Sequence, residues 1–145
     1  MMVYIFDTDL FSLVEQQDSP EYLRIHARIA QLSADDGIAV SVISYEEQTR
    51  GWLAYAAKSR AIAHQIKAYG RLRKHLLTYL AIDVLDFDDA AGAEYEQLLR
   101  LKLRIGTSDL KIAAITLATK GTLLSRNRSD FRHVPALRVE DWAKE

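Results

Sequence analysis

Val3-Tyr4-Ile5-Phe6-Asp7-Thr8-Asp9 is the stretch on which the reading of this chain turns. Four consecutive apolar β-formers predict a buried strand over 3–6. The run stops at a carboxylate, followed by Thr8 and a second carboxylate. A charge at the end of a buried strand is costly unless a partner, a set of hydrogen bonds or a metal ion compensates it. In open parallel sheets, ligands bind at the carboxyl ends of the strands. Asp7 is therefore the first candidate functional residue, and acids at the ends of later strands are candidates to join it.

Working outward, strand and helix signals alternate. Ser19-Pro20 opens a helix over 20–33, with Ser19 as its N-cap and Pro20 in the first turn. Asp35-Asp36-Gly37 is a turn. A second strand is expected over 38–43, with Ile38, Val40 and Val42 on one face. A long helical region follows over 45–79, and Gly51 and Gly70 are the weak points at which it would divide into two helices. A short third strand is expected over 82–85, and a helix from Asp88 to about position 103. The segment Ile105-Gly106-Thr107-Ser108 stops that helix and caps the next, over 109–119, which is apolar almost all round and so buried on several sides. Gly121 ends it. Residues 122–124 form a fourth strand, 125–130 a polar loop and 137–139 a last short strand. Such alternation predicts an α/β fold: a central, mostly parallel sheet of four or five strands covered by helices.

Composition narrows the chemistry. The 145 residues suit one domain, 1–145, with a substantial core. There is no apolar run of membrane-spanning length and no basic, signal-like leader, so a cytoplasmic protein is expected. Cysteine is absent, which removes disulfides, thiolate nucleophiles and cysteine-based zinc sites. The four histidines are scattered, with no metal-binding spacing. Any metal would take oxygen ligands, favouring Mg²⁺ or Mn²⁺. With a net charge of −1, nucleic acid would be held through a local basic patch or a metal, not bulk charge.

Four acids share one structural address near strand ends: Asp7, Glu47 after the second strand, Asp109 opening the apolar helix, and Asp130 after the fourth strand. Parallel strands with right-handed crossovers bring such positions to one sheet edge. Grouped carboxylates repel one another and stay partly protonated without a cation, and a divalent ion resolves the conflict while activating water. Each acid also has a purely structural role open to it. Ser44-x-x-Glu47 is a capping box, and Glu46 competes with Glu47 as the inward side chain. Asp109 complements a helix dipole, Asp130 fits a turn, and Asp9 is placed to cap the helix after the first strand.

These motifs resemble PIN-domain ribonucleases, specifically the VapC-type toxins of bacterial toxin–antitoxin pairs, over nearly the whole chain. Phe6-Asp7-Thr8-Asp9 is similar to the family's strand-end Asp-Thr-Asn, with Asp9 where Asn is usual. Ser41-Val42-Ile43-Ser44-Tyr45-Glu46-Glu47, with Gly51, resembles S-x-x-T-x-x-E-L-x-x-G and selects Glu47 over Glu46, with Gln48 in the usual Leu place. Ile105-Gly106-Thr107-Ser108-Asp109-Leu110-Lys111-Ile112-Ala113-Ala114 resembles I-G-x-x-D-x-x-I-A-A. The run 122–131 resembles LVT-x-N-x-x-D-F, and 134–142 the family's ending. The resemblance implies a PIN-like three-layer α/β/α sandwich and RNA phosphodiester hydrolysis dependent on one or two Mg²⁺ or Mn²⁺ ions. It implies Asp7, Glu47 and Asp109 as metal-holding catalytic acids, Asp130 as a fourth acid, and Thr8, Ser125 and Asn127 as supporting groups. It further implies a cognate antitoxin and a homodimer.

For RNA contact, Arg126 and Arg128 flank Asn127 near the acids and are the preferred phosphate-binding candidates. The basic segment 58–75, with Trp52, Tyr55 and Tyr69 nearby, is either an RNA-binding stripe or a solvated helix face. Trp142 is expected to anchor the C-terminus by packing. Two other readings compete: a catalytically silent PIN-like binding module, and a haloacid-dehalogenase-type phosphatase using Asp7-Thr8-Asp9. The latter lacks the Gly-Thr that usually follows the second Asp, since Leu10-Phe11 stands there.

Overall fold

The computed structural model describes residues 1–144. In chain order the elements are β1 (Val3–Phe6), α1 (Thr8–Glu15), α2 (Pro20–Ala30), β2 (Gly37–Ser41), α3 (Val42–Lys58), α4 (Ile62–Leu80), β3 (Asp83–Leu85), α5 (Asp89–Arg100), α6 (Thr107–Thr119), β4 (Thr122–Leu124), α7 (Arg128–Phe131) and β5 (Arg138–Glu140). All strand pairs are parallel, and the five strands form one sheet in the order β3-β2-β1-β4-β5. This is the three-layer α/β/α arrangement expected from the alternating pattern.

Strand alternation sends neighbouring side chains to opposite faces. Leu123 packs with α5, α6 and α7 through Ala91, Leu98, Ile112, Ile115 and Phe131. Its neighbour Leu124 joins Phe6 and Val40 on the other face, against Leu10 and Phe11 of α1, Ile25 of α2 and Tyr79 of α4. Trp142 closes this second core, 1 % exposed, with its ring 4.9 Å from that of Tyr4, the packing anchor the sequence suggested. The strand order reverses direction between β1 and β4. At such a switch the crossovers leave on opposite faces, and a crevice opens at the carboxyl edge of the sheet. Asp7 follows β1 and Ser125 follows β4, one on each side of it. No helix among the described residues is long and apolar enough to cross a membrane.

Several boundaries differ from those expected. β2 ends at Ser41 rather than position 43, because the Ser41 hydroxyl accepts a hydrogen bond from Ser44 N (3.3 Å) and starts α3 there. Val42 is consequently helical and 36 % exposed, not on a strand face with Val40. The long helical region divides at 59–61, and Gly51 and Gly70 lie inside helices. A helical glycine costs about 1 kcal/mol, and neither position sits at a close approach within the chain, since a Cβ at Gly51 or Gly70 would meet nothing within 4 Å. β3 and β5 each begin one residue later than expected, α2 and α5 end about three residues earlier, and α6 begins two residues before Asp109. The expected polar loop contains the short helix α7. The stop after α6 is made by Lys120, whose φ of 60° is left-handed. Gly121 is required for a different reason. A Cβ there would lie 2.6 Å from the Val3 carbonyl oxygen and 3.1 Å from Ile5 Cδ1.

Candidate active site

Asp7 does two jobs at once. Its backbone completes the β1–β4 ladder, donating from N to the Leu124 carbonyl (2.9 Å). Its side chain caps α1, with Oδ1 accepting from Leu10 N (2.8 Å). The cap is therefore Asp7 and not Asp9. The carboxylate is 4 % exposed. Burial is the main reason its pKa is pushed up to about 6. Hydrogen bonds from the Ser125 hydroxyl and Leu10 N offset part of that rise, and the charges of Asp9 and Asp109 add to it.

The α3 acid is Glu47. Its Oε1 accepts from the Thr8 hydroxyl (2.6 Å), and the same Thr8 oxygen lies 2.8 Å from Ser44 Oγ. Glu46 points outward and pairs with Arg50 (2.8 Å). The predicted capping box between Ser44 and Glu47 is not formed. Ser41 caps α3, which leaves Ser44 and Glu47 free to turn towards α1. Ser41-x-x-Ser44 and Ser44-x-x-Glu47 have the same spacing, so the sequence alone did not choose between them, and the contribution of Ser44 went unrecognised.

Asp109 sits half-buried in the first turn of α6, the helix whose residues Ile112 to Thr116 are all buried. Burial raises its pKa, and the nearby charges of Glu47, Asp130 and Asp9 raise it further. Asp130, in α7, is oriented by Asn127, whose Nδ2 donates to Oδ2 (2.9 Å). Asn127 N in turn donates to Ser125 Oγ (2.9 Å), so Ser125, Asn127 and Asp130 form one chain of contacts leading to Asp7. Asp109 thus lies within reach of the charges of Asp7, Glu47 and Asp130, which come from three other segments.

The two arginines behave differently. Arg126 holds both oxygens of Asp9, through Nε (2.8 Å) and Nη2 (3.0 Å). This bidentate clamp ties the β4–α7 loop to α1 and removes Asp9 as an uncompensated charge. Arg128 is exposed at the start of α7. In the basic segment, His75 is not part of a solvent stripe. It is buried between Tyr45 and Tyr79.

The donors fit a hard divalent ion: they are all oxygens, and two of the acids are held away from their ordinary ionisation by burial and mutual repulsion. Among the described residues, no three His, Cys, Asp or Glu side chains form a ready-made metal cage. A site completed partly by water is the arrangement such donors offer to Mg²⁺, which keeps several waters when bound.

Comparison with known proteins agrees with this geometry. The PIN domain profile matches residues 4–137. Ribonuclease VapC1 of Haemophilus influenzae strain R2866 is 26% identical, with 99% of this chain and 100% of the relative covered. The fold is similar to the structure of VapBC-1 from nontypeable Haemophilus influenzae (TM-score 0.78, 24% identity, 99% and 100% coverage). It is also similar to VapBC2 from Rickettsia felis bound to a promoter DNA fragment (TM-score 0.72, 24% identity, 97% and 99% coverage). With its profile match spanning most of the sequence and its acids gathered at the β1/β4 switch, this chain belongs to the PIN domain family.

Proposed function

We propose that this protein is a divalent-metal-dependent endoribonuclease of the VapC toxin type, with residues 1–145 as one catalytic domain. The observation that carries the reading is the convergence of carboxylates from four elements at the switch point, with Asp7 pushed up to about 6. Asp7, Glu47 and Asp109 would hold Mg²⁺ or Mn²⁺, one or two ions, with Asp130 as a fourth acid. The bound ion supplies water activation and charge neutralisation at the phosphodiester.

The chain's own residues set up that chemistry. Thr8 holds Glu47 towards α1, and Ser125 holds Asp7 through its hydroxyl. Asn127 aims Asp130 at the cleft. Arg126 neutralises Asp9, so the repulsion on an approaching phosphate is reduced, and Arg128 stands exposed at the rim as a phosphate contact. The phosphatase alternative would need Asp9 as the proton donor beside Asp7, and both its oxygens are taken by Arg126. The similarity to VapBC structures supports a cognate antitoxin, and the family resemblance implies a homodimer in the cytoplasm.

The test is cleavage of total RNA by the purified protein with Mn²⁺ or Mg²⁺, beside Asp7→Asn and Asp109→Asn. Discrete fragments that need metal and vanish in both variants are expected. Equal activity in wild type and variants would place the chemistry elsewhere.

A further inference from the structure

Helix α4 buries one face, through Ala68, His75 and Tyr79, and leaves two flanks of opposite character. One flank carries His64, Lys67, Arg71 and Lys74, and its Arg71 and Lys74 turn towards Glu15 of α1 and Trp52 of α3. On the other stand Ile62, Ile66, Tyr69, Arg73, Leu76 and Leu80, all exposed, and every one but Arg73 is an apolar or aromatic side chain more than half exposed. Their spacing alternates four and three residues, the seam of a helix that packs along its length on another helix. At about 1.5 Å of rise per residue the seam runs about 27 Å. Ala63, Gly70 and Leu77, at intervals of seven, form a second exposed row beside it. Apolar surface gathered into a continuous patch marks an interaction face, where scattered exposed leucines would not.

The seam is complementary to itself. Laid antiparallel on a second copy, about a two-fold axis near position 71, Ile62 meets the partner's Leu80, Ile66 the partner's Leu76 and Tyr69 the partner's Arg73. Apolar side chains thus face apolar ones, and the one cation faces a ring. Arg73 makes no ion pair or cation–π contact among the described residues, so its guanidinium is free for that ring. A parallel pairing would set Arg73 against the partner's Arg73, so a single charge in the seam fixes both orientation and register. In the second row Ala63 meets the partner's Leu77, small against large, and Gly70 meets the partner's Gly70. Gly70 has no other explanation in the fold. It costs about 1 kcal/mol inside a helix, and a Cβ there would meet nothing of its own chain within 4 Å. Where two helices cross, the missing side chain lets the backbones approach closely. A foreign helix would need an apolar seam of the same period with a ring set opposite Arg73, and a second copy already carries both.

We propose that this flank of α4 is the face on which two copies of the chain associate, the two helices packing antiparallel about a two-fold axis with Tyr69 and Arg73 paired across it. The inference rests on the homodimer of the proposed function and assigns the surface that makes it. It draws on no metal or RNA chemistry. The cations of the opposite flank stay off the axis, so association brings no cluster of like charges together.

The experiment is the solution mass of the purified chain by size-exclusion chromatography with light scattering, over a concentration series, beside Ile66→Asp, Arg73→Glu and Leu23→Asp. Leu23, on α2, is exposed to the same extent as Ile66 and serves as the control. Far-UV circular dichroism checks that each variant is folded. A dimer is expected for wild type and for Leu23→Asp. Ile66→Asp sets a charge against the partner's Leu76 on both sides of the axis and is expected to raise the dissociation constant about thirty-fold or more. Arg73→Glu sets an anion over the negative face of the partner's Tyr69 and is expected to raise it about ten-fold. The chain has no cysteine, so Gly70→Cys is expected to give a disulfide-linked dimer on mild oxidation while Leu23→Cys stays unlinked. A wild type that is monomeric throughout the series would overturn the surface and the homodimer together. A dimer that survives Ile66→Asp, or that links through Leu23→Cys and not Gly70→Cys, would overturn the surface and leave the homodimer. Metal-dependent RNA cleavage by the same wild-type preparation is scored separately, so failure of the ribonuclease reading is visible on its own.

Discussion

Replacing Asp7 by Asn is expected to abolish activity and stabilise the metal-free protein. Asn keeps a carbonyl oxygen for Leu10 N, and Asn is as good an N-cap as Asp, so α1 keeps its start. What the change removes is a buried charge. A carboxyl whose pKa rises from 3.8 to about 6 on folding destabilises the ionised folded state by about 3 kcal/mol, at about 1.36 kcal/mol per pH unit. The folded state binds this proton more tightly than the unfolded chain does. Its contribution is therefore fully present below pH 3.8 and is lost as pH rises through about 6. Asn carries no charge at any pH. Urea unfolding in EDTA at pH 8 is thus expected to show Asp7→Asn more stable by about 2–3 kcal/mol, an advantage of roughly 5–10 °C in Tm for a domain of this size. The gap should close between pH 6 and 4. A gap independent of pH, or a wild type that is the more stable at pH 8, would refute the account of Asp7 as a destabilised buried acid.

Three further outcomes are expected. Thr8→Val removes the hydroxyl that links Glu47 and Ser44. RNA cleavage should fall by about ten-fold or more while the urea midpoint moves little, since one half-buried hydrogen bond contributes about 1 kcal/mol. Gly121→Ala pushes a methyl against the Val3 carbonyl. Because the obstacle is backbone, overpacking should cost about 1–3 kcal/mol in urea unfolding, with the β1–β4 edge losing hydrogen-exchange protection first. Arg126→Ala breaks an exposed ion pair, so stability should change by less than about 1 kcal/mol. The freed Asp9 charge then adds to the repulsion at the cleft, and RNA binding in EDTA should weaken more steeply at low salt than at high salt.

The alternation of apolar β-runs with helical segments was enough to determine the fold class, since each amphipathic or apolar period admits few partners. The first strand, the cap Ser19, the start of a helix at about Asp88 and the buried character of α6 were all legible, because each depends on local sequence. So was the placement of the strand-end acids at one edge, once all strands were taken as parallel. The choices between equivalent local signals were not legible. Ser41 and Ser44 fit the same capping rule, and tertiary contact with Thr8 decided which one caps and which one lines the cleft. The sequence offered Asp9 as the cap of α1, whereas Asp7 caps it and Asp9 is held by Arg126, 117 positions away in sequence. His75 sits in a run of basic residues, and burial between two tyrosines removed it from that surface. Local rules see neighbours within a turn or two of chain. Which carboxylate is buried, which is paired and which faces the cleft depends on side chains brought together from distant segments, and only the packed sheet and its helices set those distances.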